Sequence, residues 1–174
     1  MQKIFTTQLT GLMNNTLDDF LMEDAARLLS QALVGDGSIY VYGKEEMAAV
    51  TAEALYGKEK LKNVKPLFLV DGEMVDLHPT DRVLLLSRNS NDEEMVAIVQ
   101  KLEEQHIPIL AITSTHTEGR QWTDDAWIHL DLNVKNSLVP TDSGDRIGYP
   151  ASLLALYTYY CLFLLISELL SEYE

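Results

Sequence analysis

Residues Asp81 to Ser114, DRVLLLSRNSNDEEMVAIVQKLEEQHIPILAITS, read as one complete β-loop-α-β unit. Arg82 to Leu86 is a short apolar run without a polar face, the pattern of a strand buried on both sides, and Ile107 to Ile112 is a second. Between them Met95, Ile98, Val99 and Leu102 recur at helical spacing, with Glu93, Glu94, Lys101, Glu103 and Glu104 on the opposite face. Ser90 with Glu93, or Asn91 with Glu94, supplies a capping signature. The stretch Ser87 to Asn91 is therefore expected to be a loop at the positive end of a helix, where free N–H groups can meet a ligand. In a parallel unit that loop falls at the carboxyl edge of the sheet, where open α/β sheets take small molecules.

Outward from this unit the alternation repeats. Phe5, Leu9 and Leu12 make one helical face and Leu21, Ala25, Leu28, Leu29 and Ala32 another, with a break expected at Asn14-Asn15-Thr16. Strands are expected at Ser38 to Tyr42, Pro66 to Val70 and Trp127 to Leu130, with a helix after Gly43 carrying Met47, Val50, Ala54 and Leu55. Asn133 to Pro150, interrupted by Pro140 and Gly144, is expected to be loop. No repeat or linker is visible, so residues 1–174 are expected to form one domain with two N-terminal helices and a C-terminal apolar helix. The architecture expected is a three-layer α/β/α sandwich around a five-stranded, mostly parallel sheet.

The chain has 174 residues, 47% of them hydrophobic, enough for a substantial core. Its formal charge of −14, from 27 acidic against 13 basic residues, repels phosphate backbones and anionic lipid, which argues against a nucleic-acid partner. A small phosphorylated ligand remains compatible, because a local nest of N–H groups binds an anion against an unfavourable net charge. Cys161, the lone cysteine, cannot form an internal disulfide, and Met1 to Leu12 lacks a continuous apolar run; a cytoplasmic location is expected. Ile147 to Ser167 carries no charge and is long enough to span a membrane, but Tyr157, Tyr159 and Tyr160 fall in its middle, so a buried or subunit-interface helix is expected instead of a span. A helix apolar on nearly all sides must be covered all round, and a homodimer is the expected cover.

These residues resemble the sugar isomerase (SIS) domain family, and its phosphoheptose isomerase branch in particular. AARLLSQALVGDGSIYVYG resembles that branch's opening helix and strand, and Thr51 to Gly57 (TAEALYG) its next helix. DRVLLLSRNSND followed by IPILAITS resembles its strand, phosphate loop and following strand. The resemblance implies a flavodoxin-like sandwich that binds phosphosugars, with Gly43, Lys44, Ser87, Asn89, Ser90, Asn91, Thr113, Ser114 and Thr115 as ligand-binding positions. Where the family's phosphate loop runs Ser-x-Ser-Gly-x-Ser/Thr, this chain has Ser87, Arg88, Asn89, Ser90, Asn91 and Asp92, so only Ser87 is kept and a carboxylate stands at the helix end. Arg88 either points inward and offsets that charge or is solvated. The Gly-rich first loop is replaced by Gly43-Lys44-Glu45-Glu46-Met47.

Aldose-ketose isomerisation needs a base to carry a proton between carbons and a partner to polarise the carbonyl. The family's basic glutamate falls at Ala54, or at Glu53 if the register slips by one, and Tyr149 to Glu174 contains none of its last-helix histidines. Remaining catalytic candidates are Glu53, Glu45 (with Glu46 as an acid/base pair) and His116, which follows the fourth strand. His78, His106, His116 and His129 lack metal-ligand spacing, so neither a metal nor another cofactor is expected. Three functions stay open: a module binding a small phosphosugar-like or other polar metabolite without turnover, a phosphosugar isomerase, and a structural interaction protein without ligand.

Overall fold

The structure, a computed structural model, describes residues 1–172; positions 173 and 174 of the expected domain lie outside the described residues. Five strands, β1 (Ile39–Gly43), β2 (Val64–Pro66), β3 (Arg82–Asn89), β4 (Ile109–Ser114) and β5 (Ile128–Asp131), form one sheet in the order β2-β1-β3-β4-β5 with every neighbouring pair parallel. The helices are α1 (Gln2–Thr16), α2 (Asp19–Val34), α3 (Ala48–Tyr56), α4 (Glu93–Glu104) and α5 (Ala151–Ser171). A parallel sheet of this kind must be covered on both faces, and strand residues alternate between two cores accordingly. Ile39, Val41, Leu84, Leu86, Leu110, Ile112 and Leu130 pack against α2, α3 and α5. Val83, Leu85, Ile109 and Ala111 face α4 through Met95, Ile98, Val99 and Leu102. The chain between β2 and β3 adds Phe68, Met74 and Leu77 to this second core.

Several boundaries differ from the sequence expectations. The helix α1 continues through Asn14-Asn15-Thr16 and stops at Leu17, because Asp18 is the residue that caps α2, its carboxylate accepting the Leu21 N–H. The second strand is Val64–Pro66 and not Pro66 to Val70; Leu67 is drawn into the second core, and Phe68 instead bridges antiparallel to Met74. The supposed loop at Asn133 to Pro150 contains a short antiparallel hairpin, β6 (Val139–Pro140) with β7 (Arg146–Ile147). Between β4 and β5 there is no α-helix, only a 3-10 turn at Trp122–Asp125. α5 is long and apolar enough to cross a membrane by length and composition, yet Leu154, Ala155, Tyr159, Leu162 and Ile166 are buried members of the first core. Its outward residues Leu153, Tyr160 and Leu164 are 42%, 38% and 66% exposed.

Candidate functional site

The strand order reverses between β1 and β3, whose ends are adjacent through the pairing of Gly43 with Leu86. In open α/β sheets the crevice beyond such a reversal is the usual ligand position, since the connections leave on opposite faces. Lys44 follows β1 there, and Arg88 to Asp92 follow from β3. Gly43 is required at the turn because a Cβ would collide with the Met47 carbonyl. Its N–H is taken by the Thr51 hydroxyl at 2.8 Å.

The expected loop Ser87 to Asn91 is shorter than its sequence suggests. β3 runs on to Asn89, with a register irregularity against β4 between Leu86 and Asn89. Neither Ser90 nor Asn91 caps α4. Asp92 does, its Oδ1 accepting the N–H groups of Glu94 and Met95 at 3.0 and 3.2 Å. A carboxylate cap satisfies orphan donors and favours the helix dipole, which is why it displaces the weaker alternatives. The donors assigned to a ligand are thus already in use.

Lys44 reaches across the strand reversal to this carboxylate, with Nζ 2.9 and 2.8 Å from the two Asp92 oxygens and 3.0 Å from Glu94. The hydrogen bond to Asp92 holds the Lys44 ammonium well above the ordinary lysine range. Arg88 is not simply solvated: its guanidinium meets Glu46 at 2.6 and 2.8 Å and Glu45 at 3.0 Å. Glu45 sits at φ +53°, a left-handed conformation that costs a non-glycine residue, and from there its carboxylate meets Arg88. The bond from Arg88 pulls the Glu46 carboxyl below its usual value, so Glu45 and Glu46 are a clamp on a cation and not a free acid/base pair. Four carboxylates and two cations therefore line this reversal.

The expected hydroxyl donors face inward. Ser87 is buried; its Oγ donates to the Asn89 carbonyl at 2.7 Å, lies 3.1 Å from Thr113 Oγ1 and accepts the Trp122 indole N–H at 2.9 Å. Ser90, also buried, donates to Gln121 and accepts the His116 N–H at 2.8 Å. Ser114 Oγ accepts the Val134 N–H at 3.1 Å. Thr115 lies at the rim, its N–H and hydroxyl bonded to Asp131 at 3.1 and 2.6 Å. Burial pushes the Asp131 carboxyl up, but the bonds from Thr115 and Asn133 and the neighbouring His129 outweigh it and leave the group below its usual value.

His116 lies beside this network, with Nδ1 3.1 Å from the Asn91 amide. Glu53 is elsewhere, on α3, against Gly57 and the Tyr160 hydroxyl of α5. The structure thus gathers Lys44, Ser87 to Asn91, Thr113 to His116 and Glu45 around one sheet edge, and leaves Glu53 on the α3–α5 flank. Sequence reasoning passed over Trp122, Gln121 and Asp131. The available signal was Trp122 itself, an isolated large apolar residue between Arg120-Gln121 and Thr123-Asp124-Asp125, where the β4–β5 connection lacks any helical period.

A family model described as a domain of unknown function, DUF2529, matches residues 1–170. The chain belongs to the DUF2529 family. It is 35% identical over 175 residues to the uncharacterised protein YwjG of Bacillus subtilis (strain 168), covering 99% of each chain. Among solved structures, this DUF2529 protein resembles a phosphoheptose isomerase from Francisella tularensis (TM-score 0.63, 15% identity, 96% of this chain and 94% of that one). An E. coli CFT073 protein solved in complex with a phosphosugar ligand aligns with TM-score 0.64 at 15% identity over 95% and 88% of the two chains. The sugar isomerase domain of an RpiR transcription factor from Sphaerobacter thermophilus gives 0.62 at 18% identity over 98% and 90%. At these identities the likeness is one of fold, and the fold is of the SIS type.

Proposed function

We propose that this DUF2529 protein is a SIS-fold module that binds a small phosphosugar-like or other polar metabolite at the strand reversal and does not turn it over, acting as a cytoplasmic homodimer. The observation that carries this reading is the bond from Lys44 to Asp92 across the reversal. It keeps a cation at the site while a carboxylate occupies the α4 end, an arrangement suited to exchange of one anion for another. Turnover is disfavoured by the position of Glu53, turned to Tyr160, and by an α5 without histidine. Dimerisation is supported by Leu153, Tyr160 and Leu164, an exposed uncharged stripe on a chain whose net charge of −14 would oppose contact elsewhere.

The internal satisfaction of Ser87, Ser90 and Ser114 favours a second reading, a structural interaction protein without ligand. Calorimetry with Asp92→Asn separates the two. Asparagine still caps a helix, so the fold should survive, while loss of a charge about 5 Å from a bound monoanion is worth on the order of 1–3 kcal/mol. Phosphosugar affinity should rise accordingly, with no aldose-ketose conversion in either protein. If neither Asp92→Asn nor Ser87→Ala changes binding of any phosphosugar, the structural reading replaces this one. Turnover abolished by Glu53→Ala would instead establish an isomerase.

A further inference from the structure

Away from the strand reversal, a depression of about 350 Å³ lies between α1 and the chain that follows β5. Gln8 lines it from α1, Asn133, Lys135, Asn136 and Ser137 from the β5–β6 connection, and Arg146 from β7. Its volume falls in the range of about 300–1,000 Å³ common for small-molecule sites. Among the described residues no carboxylate lines it, although acidic residues outnumber basic ones 27 to 13 in the chain. Among the same residues Lys44, Arg88, Arg120 and Arg27 are all paired with acids, whereas Lys135 and Arg146 take part in no ion pair.

Arg146 is held by neutral groups: its Nε donates to the Ser137 carbonyl at 2.7 Å and Nη2 to the Leu138 carbonyl at 2.8 Å. Those bonds orient the guanidinium without cancelling its charge, and they leave donors of Nη1 and Nη2 unspent. The wall is also fixed in place. The Val134 N–H is bound to Ser114 and its carbonyl accepts the Tyr149 hydroxyl at 3.2 Å, while Asn133 stands at φ +51° with its N–H on Asp131. A preformed concave wall carrying two uncompensated cations and several amides is a complement for an oxyanion.

We infer that this depression is a second, independent ligand site that takes the phosphate group of a small phosphate monoester, held by Arg146 and Lys135 with Gln8 and Asn136 as neutral donors. It shares no lining residue with the strand reversal, so it stands or falls separately from the function proposed there.

The test is an amide NMR titration of the full chain with inorganic phosphate, glucose 6-phosphate, glucose and succinate. Saturable shifts are expected in residues 133–138 with the first two ligands and not with glucose. The Lys135 side chain makes no hydrogen bond to the other described residues, so its replacement alters the ligand contact and not the fold. Lys135→Ala should weaken phosphate binding roughly tenfold and Lys135→Glu should abolish it. Asp92→Asn should leave these shifts unchanged, which distinguishes this site from the other. Absence of saturable shifts with both phosphate ligands, wild-type binding by Lys135→Glu, or succinate bound as tightly as phosphate would each overturn the assignment.

Discussion

Replacing Trp122 by phenylalanine should destabilise the protein by about 2–3 kcal/mol and loosen the strand ends around Ser87. Trp122 is fully buried and belongs to the α4-side core. Its indole N–H lies 2.9 Å from Ser87 Oγ and 3.3 Å from the Asn89 carbonyl. Phenylalanine removes this donor but orphans no acceptor completely, because Ser87 keeps Asn89 and Thr113, so that part of the cost is about 1 kcal/mol. The lost ring leaves roughly 40 Å³, worth about 1 kcal/mol at 24 cal/mol per Å³, with the transfer of the removed carbons in addition. For a chain of this length the sum corresponds to a fall in Tm of about 5–10 °C. Urea unfolding followed by circular dichroism measures it, with Trp127→Phe as the control, since Trp127 is 63% exposed and its loss should stay within about 0.5 kcal/mol. A Trp122→Phe protein as stable as the control would refute the view that this side chain holds the β3 and β4 ends together.

Asp131→Asn should destabilise the protein near neutral pH by about 1 kcal/mol, because three donors then meet an uncharged acceptor. The folded carboxyl lies below its ordinary value of 3.8, so its stabilisation is fully present above that value and is lost as pH falls through the lower folded one. The gap between wild type and variant should therefore close below about pH 4; a constant gap from pH 7 to pH 3 would refute the assignment. Light scattering after size exclusion should give a dimer at micromolar concentration, and Leu164→Glu should convert it to monomer. A monodisperse wild-type monomer would remove the dimer from the proposed function.

The fold was legible where periodicity was strong. The runs in Arg82 to Leu86 and Ile107 to Ile112 and the helix face of Met95, Ile98, Val99 and Leu102 are all found where their spacing places them, because burial on both faces of a parallel sheet leaves little freedom. Boundaries were less legible. Leu67 to Val70 has the composition of a strand, but one residue of tertiary packing, Leu67 in the second core, ends the ladder at Pro66. The site was legible in membership and not in pairing. Lys44, Arg88 and Asp92 could each be read as facing a ligand, yet which cation meets which carboxylate depends on the strand reversal, a long-range fact that no local pattern carries. The inward direction of Ser87 follows from Trp122, which lies 35 positions away.

The carboxylate at the head of α4 also has a consequence for descent. Aspartate and asparagine codons differ by one base, and both residues cap helices well. A lineage carrying Asp92 can thus lose the negative charge at this edge in one nucleotide change with little penalty in folding, leaving Lys44 attached to Glu94 alone. Among natural variants of this chain, codon 92 is where a reversal of anion preference needs the fewest genetic steps.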